Sequence, residues 1–163
     1  MQAFDDDRAA VGMDIPKGRP DHKWDALVEG DRVLSAGITI TDAHLVQWAG
    51  LTGDIVSLHL DEEYASTTQF GRRIGHGPLT LSLGLGLLTQ TGYFSNVVAW
   101  LGLDEVRALQ PVYIGDTIHV EATVRVARET KKPDVGLWTL DYVVLKQDGS
   151  TVMTFTSSFM VRR

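Results

Sequence analysis

The chain has 163 residues, 44% hydrophobic and 22% charged, a balance that supports one folded domain around its own core rather than a disordered polymer. Its formal net charge is -6, and its densest basic clusters (Arg72-Arg73, Lys131-Lys132, Arg162-Arg163) are pairs, which argues against nucleic acid as a partner. There is no cysteine, so disulfides, thiolate catalysis and thiolate metal ligands are excluded, and no apolar run reaches the roughly 18 residues of a membrane helix. The acidic start (Asp5, Asp6, Asp7) is followed by no hydrophobic segment and does not read as a secretory signal. The expectation is a cytoplasmic protein with no membrane partner.

Residues 1–22 are polar and rich in Asp, Arg, Gly and Pro, and read as an arm or tail; residues 23–163 read as one unit without internal repeats. Arg32 to Ile40 is strand-like. Thr41 is placed to cap a short helix through Ala43, Leu45, Val46 and Trp48, with Gly50 at its stop. A loop is expected from Leu51 to Leu60, and a short helix with an acidic first turn from Asp61 to Phe70. The segment from Pro78 to Phe94 fits two templates. Leu79, Leu81, Leu83, Leu85 and Leu87 alternate as in a strand, but the length, the Gly-Pro opening and the scarcity of β-branched residues favour a buried helix. Gly84 and Gly86 would each cost such a helix about 1 kcal/mol relative to Ala, unless a close-packed sheet face requires them. Val97 to Leu109, Thr117 to Arg128, Leu137 to Lys146 and Thr151 to Arg162 read as strands, the last two joined by a hairpin at Asp148-Gly149. The predicted class is α+β, one long helix laid on a curved antiparallel sheet.

Of five histidines, His22, His44 and His119 fall in surface settings, whereas His59 and His76 sit in loops that flank predicted helices. Asp54 precedes His59 by five residues, and Gly53 permits a sharp turn before the carboxylate. A carboxylate and an imidazole held together bind a water, one withdrawing a proton while the other delivers one. Spacing alone equally fits a structural hydrogen bond or two exposed side chains. His76-Gly77-Pro78-Leu79 opens the long helix, where unpaired N–H groups carry partial positive charge suited to an enolate-like oxygen; a Gly-Pro helix start without a ligand has the same sequence. No metal site is expected, because no histidines lie at i, i+4 and no cysteine exists. No Gly-x-Ser-x-Gly elbow is present, and Gly84-Leu85-Gly86 completes no dinucleotide fingerprint.

At these residues the chain resembles the MaoC-like dehydratases, the (R)-specific enoyl-CoA hydratase (hydratase 2) family. Gly53, Asp54, His59 and Asp61 fall on its signature Gly-Asp-x-Asn-Pro-x-His-x-Asp, and His76-Gly77-Pro78-Leu79 falls on its His-Gly-x-Leu element. The resemblance runs from about Ile38 to the C-terminus. It implies a hot-dog fold with Pro78 to Phe94 as the central helix, and a homodimer with joined sheets. It also implies a thioester on coenzyme A or an acyl carrier protein as substrate, with no separate cofactor. By carry-over, Asp54 and His59 are the catalytic pair, the Gly77 N–H beside His76 holds the thioester oxygen, and Ser82, six residues after His76, supports the pair. The activity implied is hydro-lyase: reversible hydration of a 2-enoyl thioester. The chain departs from the family at Val56-Ser57, where Asn-Pro is usual, which opens the prospect of a branched or dicarboxylic acyl group. A hot-dog thioesterase needs a carboxylate on or near the central helix, and Leu79 to Phe94 holds no Asp or Glu. A non-catalytic acyl-thioester-binding module needs neither Asp54 nor His59.

Overall fold

The alternation of the C-terminal half sets the sheet. In the computed structural model, which describes residues 22–163, β4 (Thr117–Glu129) turns Ile118, Val120, Ala122 and Val124 into the core, each at most 1% exposed, with His119 and Glu121 on the other face. β5 (Val135–Lys146) and β6 (Thr151–Arg162) form the expected hairpin; Gly149 takes φ 81° and Asp148 Oδ1 accepts from the Ser150 N–H at 2.9 Å. All strand pairings are antiparallel, in the order β1 (Arg32–Leu34), β4, β5, β6, β3 (Val97–Ala108). β3 closes that order as an edge, and three register shifts along it bend the sheet, with Glu105 at φ 54° inside one of them. The expected arm lies outside the described residues except for His22.

The single strand expected over Arg32 to Ile40 is two short strands, β1 (Arg32–Leu34) and β2 (Ile38–Thr39), both paired with β4. Ser35 parts them because its Oγ, rather than a carbonyl, accepts the Val120 N–H at 2.9 Å. Helix α1 (Asp42–Thr52) is capped at Thr41, whose N–H donates to His44 Nδ1 at 3.0 Å. It does not stop at Gly50. It runs on to Gly53, which takes φ 77° and donates its N–H to the Ala49 carbonyl. The expected loop that follows contains a helical turn, α2 (Ser57–Leu60). Helix α3 (Glu62–Ser66) is shorter than predicted, since the Thr67 and Thr68 hydroxyls turn back onto the Tyr64 and Ala65 carbonyls, each at 2.7 Å.

Helix α4 (Gly77–Thr89) resolves the ambiguous segment in favour of helix, ending before a 3-10 turn at Tyr93–Asn96. Leu79, Leu87 and Leu88 are buried against the sheet, while Leu81, Leu83 and Leu85 pack at the margins of the core. A Cβ on Gly84 would lie 3.2 Å from Val144 Cγ2 and 3.5 Å from the Phe155 ring, so close helix–sheet packing accounts for this glycine. Gly86 has nothing within 4 Å of its Cβ position, so packing does not explain it.

Candidate active site

Three chain segments converge at the start of α4. The left-handed turn at Gly53 swings Asp54 off the end of α1, where its N–H donates to Thr52 Oγ1 at 3.2 Å. Its carbonyl accepts from His76 Nε2 at 3.1 Å. α2 carries His59, whose Nδ1 stands 2.7 Å from the Ile74 carbonyl. A carbonyl only accepts, so Nδ1 carries a proton toward Ile74 and Nε2 is the ring nitrogen left to exchange one. The ring lies on that of His76, with centroids 3.9 Å apart and planes 31° apart. The Ile74 carbonyl is itself held by the Ile74–Tyr113 bridge and by the Gly75 N–H bonded to Val112 at 2.7 Å.

His76 is completely buried. Burial pushes its pKa down and the neighbouring His59 adds to this, against the opposing pull of the Asp54 carbonyl and carboxylate. The ring is therefore neutral at pH 7, with its proton on Nε2 and a buried Nδ1 lone pair that has no partner among the described residues. One ligating atom from each of Asp54, His59 and His76 lies within 4.8 Å of the others. These are donor types that a divalent transition ion accepts. A search for paired histidines in sequence misses them because they come from three separate segments.

A cavity of about 290 Å³ opens beside this cluster. His59, Gly77 and Thr80 line its polar part, and Phe70, Leu109, Val152 and Met153 contribute apolar wall. Gly77 is the first residue of α4, its N–H has no acceptor within the helix, and the space beside its Cα is open. Pro78, next in the chain, offers no N–H beside it.

Asp54, His59, His76 and Gly77 thus come together as the sequence suggested. Ser82 does not join them: it is exposed, stands roughly 200° round the helix from Thr80, and forms no part of the cavity wall. Sequence reasoning also missed the carbonyl of Ile74 and the hydroxyls of Thr52 and Thr80; a backbone carbonyl leaves no residue signature. At Val56-Ser57 the helical turn forms without the family's Asn-Pro, through the His59 N–H to Val56 and the Asp61 N–H to Ser57 at 3.0 and 2.9 Å. His22 stacks on Tyr93, His44 caps α1 and His119 lies on the outer face of β4, so none of the three joins the cluster.

A long helix laid against a curved antiparallel sheet defines a hot-dog fold. Residues 25–143 match the family described as MaoC like domain, and the chain belongs to that family. It is 35% identical over 112 residues to the (R)-specific enoyl-CoA hydratase of Aeromonas caviae, covering 69% of this chain and 79% of that one. It is also 35% identical over 109 residues to Protein MaoC of Klebsiella aerogenes, covering 67% of this chain but only 32% of that protein. The structure described as monoamine oxidase regulatory protein from Archaeoglobus fulgius superposes with a TM-score of 0.80 at 33% identity, over 86% of this chain and 94% of that one. No helix among the described residues is long and apolar enough to cross a membrane.

Proposed function

We propose that the chain catalyses the reversible hydration of a 2-enoyl thioester, carried on coenzyme A or an acyl carrier protein, to the 3-hydroxyacyl thioester. One observation carries this reading. The Asp54 carboxylate and the ring of His59 meet within 4.8 Å beside the unpaired Gly77 N–H and the cavity. With one proton shared between the pair, the group without it takes a proton from water as the oxygen bonds to the β-carbon. The group holding it protonates the α-carbon. Negative charge that develops on the thioester oxygen meets the Gly77 N–H at the positive end of α4. The Ile74 carbonyl fixes the His59 tautomer, and His76 fixes the Asp54 backbone. The thioester is the substrate, and these steps use no other cofactor.

Among the described residues no Lys or Arg lines the cavity, so a second carboxylate on the acyl group would find no counter-charge from them there. This favours an uncharged acyl group, straight or methyl-branched, over a dicarboxylic one. The edge strand β3 exposes Val98, Trp100, Leu101 and Val106, with Leu109 just beyond it, which supports a homodimer joined along that edge.

The test is a panel of 2-enoyl and 3-hydroxyacyl thioesters followed by two readouts, loss of the conjugated enoyl absorbance and release of free thiol. Absorbance loss without thiol is expected. Thiol release alone identifies a hydrolase and rejects the reading, and the absence of both identifies a binding module.

A further inference from the structure

Two adjacent arginines next to the cavity have different surroundings. Arg73 is spent: its Nε donates to Glu62 at 2.8 Å and an NH group to Asp42 at 2.7 Å, tying α3 and α1 to the approach to α4. Its neighbour Arg72 has no carboxylate partner among the described residues, in a chain with 21 acidic and 15 basic residues to choose from. The Arg72 Cζ lies 4.3 Å from the Tyr113 ring centroid, so the guanidinium is held over an aromatic ring rather than against an anion. Tyr113 is a fixed platform. Its N–H donates to Asp116 at 2.8 Å, it bridges to Ile74, and Asp116 is anchored in turn by Lys146 at 2.8 Å. Lys146 also lies near the ring, but its charge is already paired.

The position matters as much as the free charge. Arg72 lies in sequence between Phe70 and Ile74, and Tyr113 follows Val112; Phe70, Ile74 and Val112 all line the cavity. The pair therefore stands beside the wall that ends at His59 and Gly77. A guanidinium without a carboxylate partner keeps its N–H fork for donation, and that fork matches two phosphate oxygens.

We propose that Arg72, braced on Tyr113, binds a phosphate of the group that carries the acyl thioester. This rests on the hydratase reading, since it names the recognition of that substrate's carrier. The phosphate belongs either to the nucleotide end of coenzyme A or to the pantetheine phosphate shared by coenzyme A and carrier proteins.

The experiment compares wild type, Arg72→Gln and Arg72→Lys on three substrates: crotonyl-CoA, crotonyl-4′-phosphopantetheine and crotonyl-pantetheine, the last without phosphate. For Arg72→Gln, KM for phosphate-bearing substrates is expected to rise about tenfold, the scale of one charge-assisted hydrogen bond, with kcat nearly unchanged. KM for crotonyl-pantetheine stays put. Arg72→Lys recovers part of the loss, and wild-type KM rises with salt on the phosphate-bearing substrates only. A loss on both phosphate-bearing substrates assigns the pantetheine phosphate; a loss on crotonyl-CoA alone assigns the nucleotide phosphates. Equal shifts on all three substrates, or none on any, overturn the proposal. If wild type hydrates none of the three and no other thioester of the panel above, the hydratase reading falls, and calorimetric binding of coenzyme A then decides the matter: binding weakened about tenfold by Arg72→Gln supports the role, and unchanged or absent binding refutes it.

Discussion

Replacing Asp54 with Asn separates chemistry from architecture. The hydrogen bonds of Asp54 run through its backbone, the N–H to Thr52 at 3.2 Å and the carbonyl from His76 at 3.1 Å. An isosteric amide preserves both, so stability should change by no more than about 0.5 kcal/mol, or about 2 °C in Tm at this size. The same change removes a proton carrier. General acid–base catalysis contributes about 10²–10⁴-fold, which at 1.36 kcal/mol per decade is about 2.7–5.5 kcal/mol of barrier. His59→Ala differs in a telling way. It loses the 2.7 Å bond to Ile74 and the ring contact with His76 at 3.9 Å. Those losses cost about 1–3 kcal/mol of stability on top of a similar fall in rate. The double variant should be little slower than either single one, because the two groups work as a unit. Enoyl absorbance assays paired with thermal melts measure both effects. An Asp54→Asn enzyme within tenfold of wild type would refute the assignment, and one that melts as early as His59→Ala would show the carboxylate to be structural.

Three further outcomes follow from the same geometry. Burial lowers the His76 pKa from the ordinary histidine value of about 6.5, so below that value the unfolded chain takes up a proton before the folded one does. Stability should fall with decreasing pH between about 6.5 and the depressed folded value and be unaffected above that window. His76→Gln, which cannot titrate, should flatten this part of a urea-midpoint profile; an unchanged slope would show that His76 is not its source. On α4, Gly86→Ala meets nothing within 4 Å and should raise Tm by about 2–4 °C through helix propensity. Gly84→Leu, whose Cβ would sit 3.2 Å from Val144, should cost about 1–3 kcal/mol. Melting shifts of the same sign at both glycines would contradict the packing described. Finally, dialysis against a chelator should leave turnover intact, because the pair works by proton transfer alone. Activity lost on chelation and restored by zinc would instead make Asp54, His59 and His76 a metal centre.

Much of the fold was legible because it is written in local periodicity. The period-two alternation of Ile118, Val120, Ala122 and Val124 in β4 has one reading, and Asp148-Gly149 marks the β5–β6 hairpin without help from distant residues. The motif residues Asp54, His59 and Gly77 were likewise visible, since residue type and spacing in the chain are what a motif records. Local pattern was weaker where tertiary contacts decide. The leucine run of α4 alternates like a strand, and only its length, its Gly-Pro opening and its few β-branched residues favoured the helix that forms; Gly84 is explained only by Val144 and Phe155 from strands far away in sequence. The end of α1 was misplaced by one turn because both Gly50 and Gly53 are suitable stops, and only Gly53 adopts the left-handed turn that presents Asp54. What turns the motif into a candidate site is also tertiary: the Ile74 carbonyl that sets the His59 tautomer, the burial that keeps His76 neutral, and the solvent-facing position that removes Ser82 from the cluster. Each depends on the close approach of segments separated in the chain, and packing supplies that distance where sequence order does not.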